Sequence, residues 1–171
     1  MTRRVAILGL GTRGLGWARI CHRAGWRVAG FDPDPRAGAA GLPAGDWRRA
    51  ETISATVRGA DLVVLCLPER LELVQTVLQR AQAEVPEGGV IAVDTGAFNA
   101  EAVQGGAIRP GQIVQVTGSG GGFELGVTGR NDAEIRAVAG AVLAELAAVA
   151  SLAGEPPAET FAAGRPDAAN L

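Results

Sequence analysis

Gly9-Leu10-Gly11-Thr12-Arg13-Gly14 is the stretch of the chain whose residue types and spacing point most directly to chemistry. Three glycines so spaced, behind a short apolar run (residues 5–8) and ahead of a helical pattern, suit a turn that receives phosphate. Gly9 would make the tight turn, Gly11 would let a pyrophosphate approach the backbone, and Gly14 would let helix and strand pack closely. With Leu10, Thr12 and Arg13 they form one cofactor-binding set, in which the helix-start amides and the positive end of the dipole receive the anion. Asp32 lies 18 residues past Gly14, at the end of a second strand-like run. That is near the interval of about 20 at which an acid accepts hydrogen bonds from an adenosine ribose. A carboxylate there repels a 2′-phosphate, so NAD is favoured over NADP. The plainer alternative, a tight turn followed by an acid that caps a loop, fits the strand–helix–strand context less well.

Other reactive groups are few. All sixteen basic side chains are Arg, so no Lys is present for a Schiff base or for acid–base work, and there is no Tyr. The one imidazole, His22, falls inside the first helical pattern, away from the strand ends, and reads as a surface or packing residue. Cys21 and Cys66 sit in apolar stretches and read as inert core thiols. Glu69, just past a strand end, is either a group near the cofactor or a first-turn carboxylate favoured by the helix dipole. Asp94 and Thr95 end another strand, at the carboxyl edge where open α/β sheets bind ligands. Ser119, in the run of residues 118–122, has a reactive hydroxyl but no evident activating base. Glu69 and Ser119 are thus the only candidates for catalysis, and neither is strong.

Elements that could position these groups alternate along the chain. Strand-like runs occupy residues 5–8, 27–31, 61–67, 89–93 and 112–117, with a further candidate at 123–128. Helical patterns fall at 13–24, 48–58, 71–84 and 100–104, and a last one, capped by Asp132, runs through Ala150. Pro33 and Pro35 stop the second strand. Residues 36–47 are poorly patterned. Trp17, Trp26 and Trp47 read as packing groups, with Trp17 near the glycine turn. The alternation predicts an α/β fold with a doubly wound, mostly parallel, Rossmann-like sheet in one domain. Residues 1–150 form the expected dinucleotide-binding unit, and 151–171 have the composition of a flexible tail.

Several stretches carry a family resemblance. Gly14-Leu15-Gly16-Trp17-Ala18, then Arg23-Ala24-Gly25-Trp26-Arg27-Val28 and Phe31-Asp32, is similar to the opening of hydroxyacyl-CoA, gulonate and carnitine dehydrogenases. Ala60-Asp61-Leu62-Val63-Val64, Leu67-Pro68-Glu69-Arg70-Leu71-Glu72-Leu73 and Ile91-Ala92-Val93-Asp94-Thr95-Gly96 continue it. The chain resembles the cofactor domain of the 3-hydroxyacyl-CoA and beta-hydroxyacid (6-phosphogluconate) dehydrogenase superfamily over residues 3–105, and more loosely over 112–150. The resemblance implies that Leu67, Pro68, Glu69 and Thr95 border a nicotinamide and that Ser119 contacts substrate. It also implies hydride transfer between nicotinamide and a 3-hydroxy acid or its CoA thioester. The departures are specific. Gly96 stands where hydroxyacyl-CoA dehydrogenases carry a catalytic Ser. Val116-Thr117-Gly118-Ser119-Gly120-Gly121-Gly122 replaces their catalytic His and Pro-rich loop, and Ser119-Gly120-Gly121 is instead similar to the substrate loop of the beta-hydroxyacid branch. That branch's catalytic Lys has no counterpart, and its helical second domain is not expected within these residues.

Composition narrows the remaining classes. With 47% hydrophobic and 20% charged residues, the 171-residue chain has a globular balance and needs no disulfide or metal staple. A net charge of −2 gives no electrostatic reason to expect nucleic acid. No apolar run reaches the roughly 18 residues of a membrane span, and the opening residues do not pattern as a signal peptide, so a cytoplasmic protein is expected. The apolar helix at 132–150 predicts a two-fold homodimer. The alternative to an active dehydrogenase is a non-catalytic NAD-binding or NAD-sensing module, or a cofactor subunit completed by a partner chain.

Overall fold

The computed structural model describes residues 1–38, 45–119 and 122–154. The β-branched and leucine-rich runs at residues 5–8, 62–65 and 90–93 become strands because both faces of each are covered, so they need no polar alternation. Strand β1 (Arg4–Leu8) leads to helix α1 (Thr12–Arg23), then β2 (Arg27–Phe31), β3 (Trp47–Arg49) and α2 (Ile53–Val57). After these come β4 (Leu62–Leu65), α3 (Leu71–Gln82), β5 (Val90–Asp94), α4 (Ala100–Gln104), β6 (Ile113–Ser119), β7 (Gly122–Gly126) and α5 (Ala133–Leu152). The strand order is β3-β2-β1-β4-β5-β6-β7; all pairs are parallel except β6 with β7. This is the expected doubly wound, Rossmann-like sheet. The order in which strands are added reverses between β1 and β4, and that switch point opens the ligand crevice at the carboxyl edge.

Two cores flank the sheet. On one face Val5, Ile7, Val64 and Val114 meet Trp17, Ile20 and Cys21 of α1 and Ile135, Val142 and Leu146 of α5. On the other, Ala6, Leu8, Val63 and Ile91 meet Val57 of α2, Val74 and Leu78 of α3, and Val103 of α4. Apolar side chains alternate along β1 between the two cores, which fixes its register.

The structure corrects the sequence reading at four places. Residues 48–58 are not one helix: Trp47, Arg48 and Arg49 pair in parallel with Val28, Ala29 and Gly30. Packing decides this, since the Trp47 ring lies where a Cβ on Gly30 would be, 2.4 Å from its Cη2. The helix starts only after Thr52, whose hydroxyl accepts from the Ala55 N–H at 3.1 Å. Strand β4 ends at Leu65 rather than Leu67. Asp132 occupies the N-cap position of α5 but makes no side-chain cap bond there; its carboxylate packs against Gly111. Helix α5 extends to Leu152, past the expected boundary at 150. Over an 18-residue stretch its mean hydropathy is 1.8, the length and composition of a membrane span, although Glu134, Arg136 and Glu145 punctuate the helix. Six of its residues are buried against the sheet or α1. Most of the tail, residues 155–171, lies outside the described residues.

Candidate functional site

The glycine turn connects β1 to α1 at the carboxyl edge. Gly9 has φ +99°, a left-handed conformation that favours glycine, and a Cβ there would lie 2.2 Å from the Cys66 carbonyl oxygen. A Cβ on Gly14 would lie 1.8 Å from the Gly9 carbonyl oxygen, so α1 rests directly on the turn. Gly11 differs: nothing lies within 4 Å of its Cβ position, which faces open space. Gly11 is also the N-cap of α1; no side chain caps it, and the first turn holds no acid. The positive end of a 12-residue helix is therefore presented to an anion.

Asp32 is fastened to this turn. Its Oδ2 accepts from the Leu10 N–H at 2.8 Å and its Oδ1 from the Asp34 N–H at 2.9 Å. The Gly9 N–H donates to the Phe31 carbonyl at 2.8 Å, so the end of β2 and the turn move as one piece. Each carboxylate oxygen keeps acceptor capacity for a further donor. Arg49, which the sequence reading did not single out, clamps the loop after β2. Its guanidinium donates to the carbonyls of Asp32 at 3.1 Å, Asp34 at 2.7 Å, and Ala37.

A second cluster closes over the ends of β4 and β5. Arg13 Nη1 donates to the Asp94 carbonyl at 2.7 Å, Nη2 to the Leu67 carbonyl at 2.9 Å, and Nη1 stands 3.6 Å from Asp94 Oδ1. Trp17 Nε1 donates to Asp94 Oδ2 at 2.9 Å, and the Trp17 ring stacks on Phe123 of β7 at 4.6 Å between centroids. Asp94 is only 6% exposed. Burial pushes its carboxyl above the usual range, against the opposing pull of the Trp17 hydrogen bond and the Arg13 charge. Arg13 thus ties the glycine turn to the ends of β4 and β5 through its side chain.

The remaining expected residues are placed as follows. Thr95 is buried; its hydroxyl accepts from the Ala97 N–H at 3.1 Å and its carbonyl from Gln115 Nε2 at 2.7 Å. Glu69 is exposed and its Oε1 accepts from the Gly96 N–H at 3.3 Å. Leu67 is half-buried and Pro68 exposed beside it. The backbone of Ser119 ends β6 opposite Gly122; its side chain, with Gly120 and Gly121, lies outside the described residues. His22 is in α1, near its carboxyl end and remote from this edge. Cys66 and Cys21 are buried, and burial raises both thiols well above their ordinary range. Among the described residues no group of three or more His, Cys, Asp or Glu could hold a metal ion.

A doubly wound sheet, a glycine turn on an uncapped helix and an acid at the end of β2 define a dinucleotide-binding domain. Residues 4–108 match the model of the NAD-binding domain of 6-phosphogluconate dehydrogenase, and the chain belongs to that family of NAD-binding dehydrogenase domains. L-carnitine dehydrogenase of Nocardiopsis dassonvillei is 34% identical over 131 residues, which span 66% of this chain and 40% of that protein. A Mesorhizobium japonicum 5-formyl-3-hydroxy-2-methylpyridine 4-carboxylate 5-dehydrogenase is 31% identical over 116 residues, 56% of this chain and 37% of that one. The chain thus spans about two-fifths of the length of these two relatives. Among solved structures, the (S)-3-hydroxybutyryl-CoA dehydrogenase of Ralstonia eutropha superposes with a TM-score of 0.75 at 20% identity. That match covers 86% of this chain and 62% of that one, and it shows the shared fold.

Proposed function

We propose that this chain is the NAD-holding part of an oxidoreductase acting on a 3-hydroxy acid or its CoA thioester, and that by itself it binds NAD with very little turnover. The observation that carries the reading is the open space at Gly11, set before an uncapped helix start and beside an Asp32 tied to Leu10. In it the amides from Gly11 to Gly14 hold the pyrophosphate and Asp32 accepts from the adenosine ribose. Leu67, Pro68, Glu69 and Thr95 border the far end. NAD, when bound, supplies the hydride acceptor. Oxidation of an alcohol also needs a positioned base, typically contributing about 10²–10⁴ in rate. Asp94 is committed to Arg13 and Trp17, Thr95 is buried, and Glu69 lies exposed with one oxygen on a backbone amide. The base and the wall that orients substrate are assigned to residues outside this dinucleotide-binding unit.

The test is a paired measurement on one preparation: calorimetric NAD binding, and NADH absorbance with a panel of hydroxy acids and acyl-CoA substrates. Binding without turnover supports the reading. Robust turnover, lost in Glu69→Gln or Ser119→Ala, would overturn it. We also propose a two-fold homodimer through α5, where Val138 is 39% exposed; a monomeric mass by sedimentation at micromolar concentration counts against it.

A further inference from the structure

Side-chain alternation gathers arginines at the sheet edge opposite the glycine turn. Arg4 begins β1 on the face of Ala6 and Leu8, and Arg27 begins β2 beside it in register. Arg48 of β3, in register with Ala29, shares that face. Helix α2 covers the same face, and Arg58 is its C-cap. Arg4, Arg27, Arg48 and Arg58 together line a cavity of about 390 Å³, with the small Ala29 and Thr56 among them. We propose that this cavity is an anion site separate from the cofactor crevice, which takes a phosphorylated small molecule carrying at least two negative charges.

Uncompensated charge is what marks the cavity. Neighbouring strands stand about 4.8 Å apart, so Arg4 and Arg27 set two like charges side by side, and these repel. Among the described residues no acid lies within ion-pair distance of the guanidinium of Arg4, Arg27 or Arg48. The acids nearby are not their counter-ions. Asp61 accepts from the Arg4 backbone N–H at 2.8 Å, and Asp46, exposed at the rim, makes no ion pair among the described residues. Arg58 stands 3.6 Å from Glu84 with 72% of its side chain exposed. Arg48 gives one N–H to the Ala55 carbonyl at 3.0 Å and keeps its other donors. A chain of net charge −2 thus holds a cationic cleft that its own acids leave unbalanced. A multivalent anion relieves the repulsion, and guanidinium forks match phosphate oxygens in pairs. One carboxylate would offset only one of these charges. The cavity exceeds a lone phosphate ion, which leaves room for the body of an organic phosphate. β1 and β2 are each about 16 Å long, and the glycine turn and Asp32 lie at their far ends. One small phosphate does not reach both, so the site does not depend on the cofactor reading.

The test is calorimetric titration of the full chain with inorganic pyrophosphate at low salt, with and without excess NAD, beside the Arg4→Gln/Arg27→Gln double variant. Saturable binding is expected that survives excess NAD, weakens with added salt and falls more than about tenfold in the double variant. No binding by the parent, or undiminished binding by the double variant, overturns the proposal. Binding that excess NAD abolishes overturns it as well, because the anion then sits in the glycine turn. Citrate or hexaglutamate binding as tightly as pyrophosphate would overturn the assignment to phosphate. If the double variant does not fold, the parent decides by itself. Pyrophosphate is expected to protect Arg4 and Arg27 from phenylglyoxal, as read by mass spectrometry, and full labelling of both in its presence overturns the proposal.

Discussion

The Leu10 amide donates to Asp32 at 2.8 Å, so the acid at the end of β2 is hydrogen-bonded to the glycine turn that follows β1. In the proposed function that one carboxylate has two tasks, orienting the turn and accepting from ligand. Removing it disturbs both.

Asp32→Ala is expected to weaken NAD by about 10- to 100-fold, the equivalent of losing a charged hydrogen bond of about 1.5–3 kcal/mol, and to narrow the preference over NADP. Asp32→Asn, which keeps one acceptor, should retain more NAD affinity while discriminating less. Calorimetry with both cofactors checks this. Equal or tighter NADP binding by the parent would contradict it.

The glycines separate stability from binding. Gly14→Ala places a methyl group 1.8 Å from the Gly9 carbonyl oxygen, and overpacking of this kind costs about 1–3 kcal/mol. Gly11→Ala meets open space at an ordinary negative φ, so its melting temperature should stay within about 2 °C of the parent. Its NAD affinity should nevertheless fall about tenfold or more, because the methyl group intrudes where phosphate approaches. Thermal melts beside calorimetry on the two variants test the separation; a strongly destabilised Gly11→Ala would refute it.

Asp94 has a pH signature. Burial raises its carboxyl above the ordinary 3.8, so the folded chain binds a proton more tightly than the unfolded one. Between those two values the native state holds more protons, and this residue's contribution to stability falls as pH rises. Asp94→Asn keeps an acceptor for the Trp17 indole and removes the titration. The difference in urea-unfolding free energy between variant and parent should therefore shift in the variant's favour as pH climbs from about 4. A difference independent of pH would show that Asp94 titrates alike in both states.

The two thiols should be silent in the folded chain. Cys21 and Cys66 are buried, and their raised pKa values suppress the reactive thiolate. Iodoacetamide at pH 8 is expected to label neither under native conditions and both in denaturant, as read by mass spectrometry.

The parts of the site legible in the sequence are those that local backbone geometry demands. Gly9 needs its left-handed φ and Gly14 its missing side chain whatever the rest of the chain does, so both announce themselves. Strand β3 does not. A three-residue segment has no periodicity to read, and Trp47–Arg49 is a strand because Gly30 leaves room for an indole across the sheet. The Arg13–Asp94 contact joins residues 81 apart. It exists because the sheet order sets the ends of β4 and β5 side by side, which no local pattern encodes. Arg49 escaped notice for the same reason. Its carbonyl partners belong to a loop 12 to 17 residues earlier in the chain.

That Arg49 clamp ties together two regions of unequal standing. Strand β3 is one edge of the sheet and the shortest strand among the described residues, held on one side only by β2, and edges of this kind open without global unfolding. Each such opening slackens the loop that carries Asp32. A nucleotide seated on Asp32 must therefore slow the fraying of the sheet's margin, and amide exchange at Arg48 and Ala50 becomes a remote gauge of occupancy.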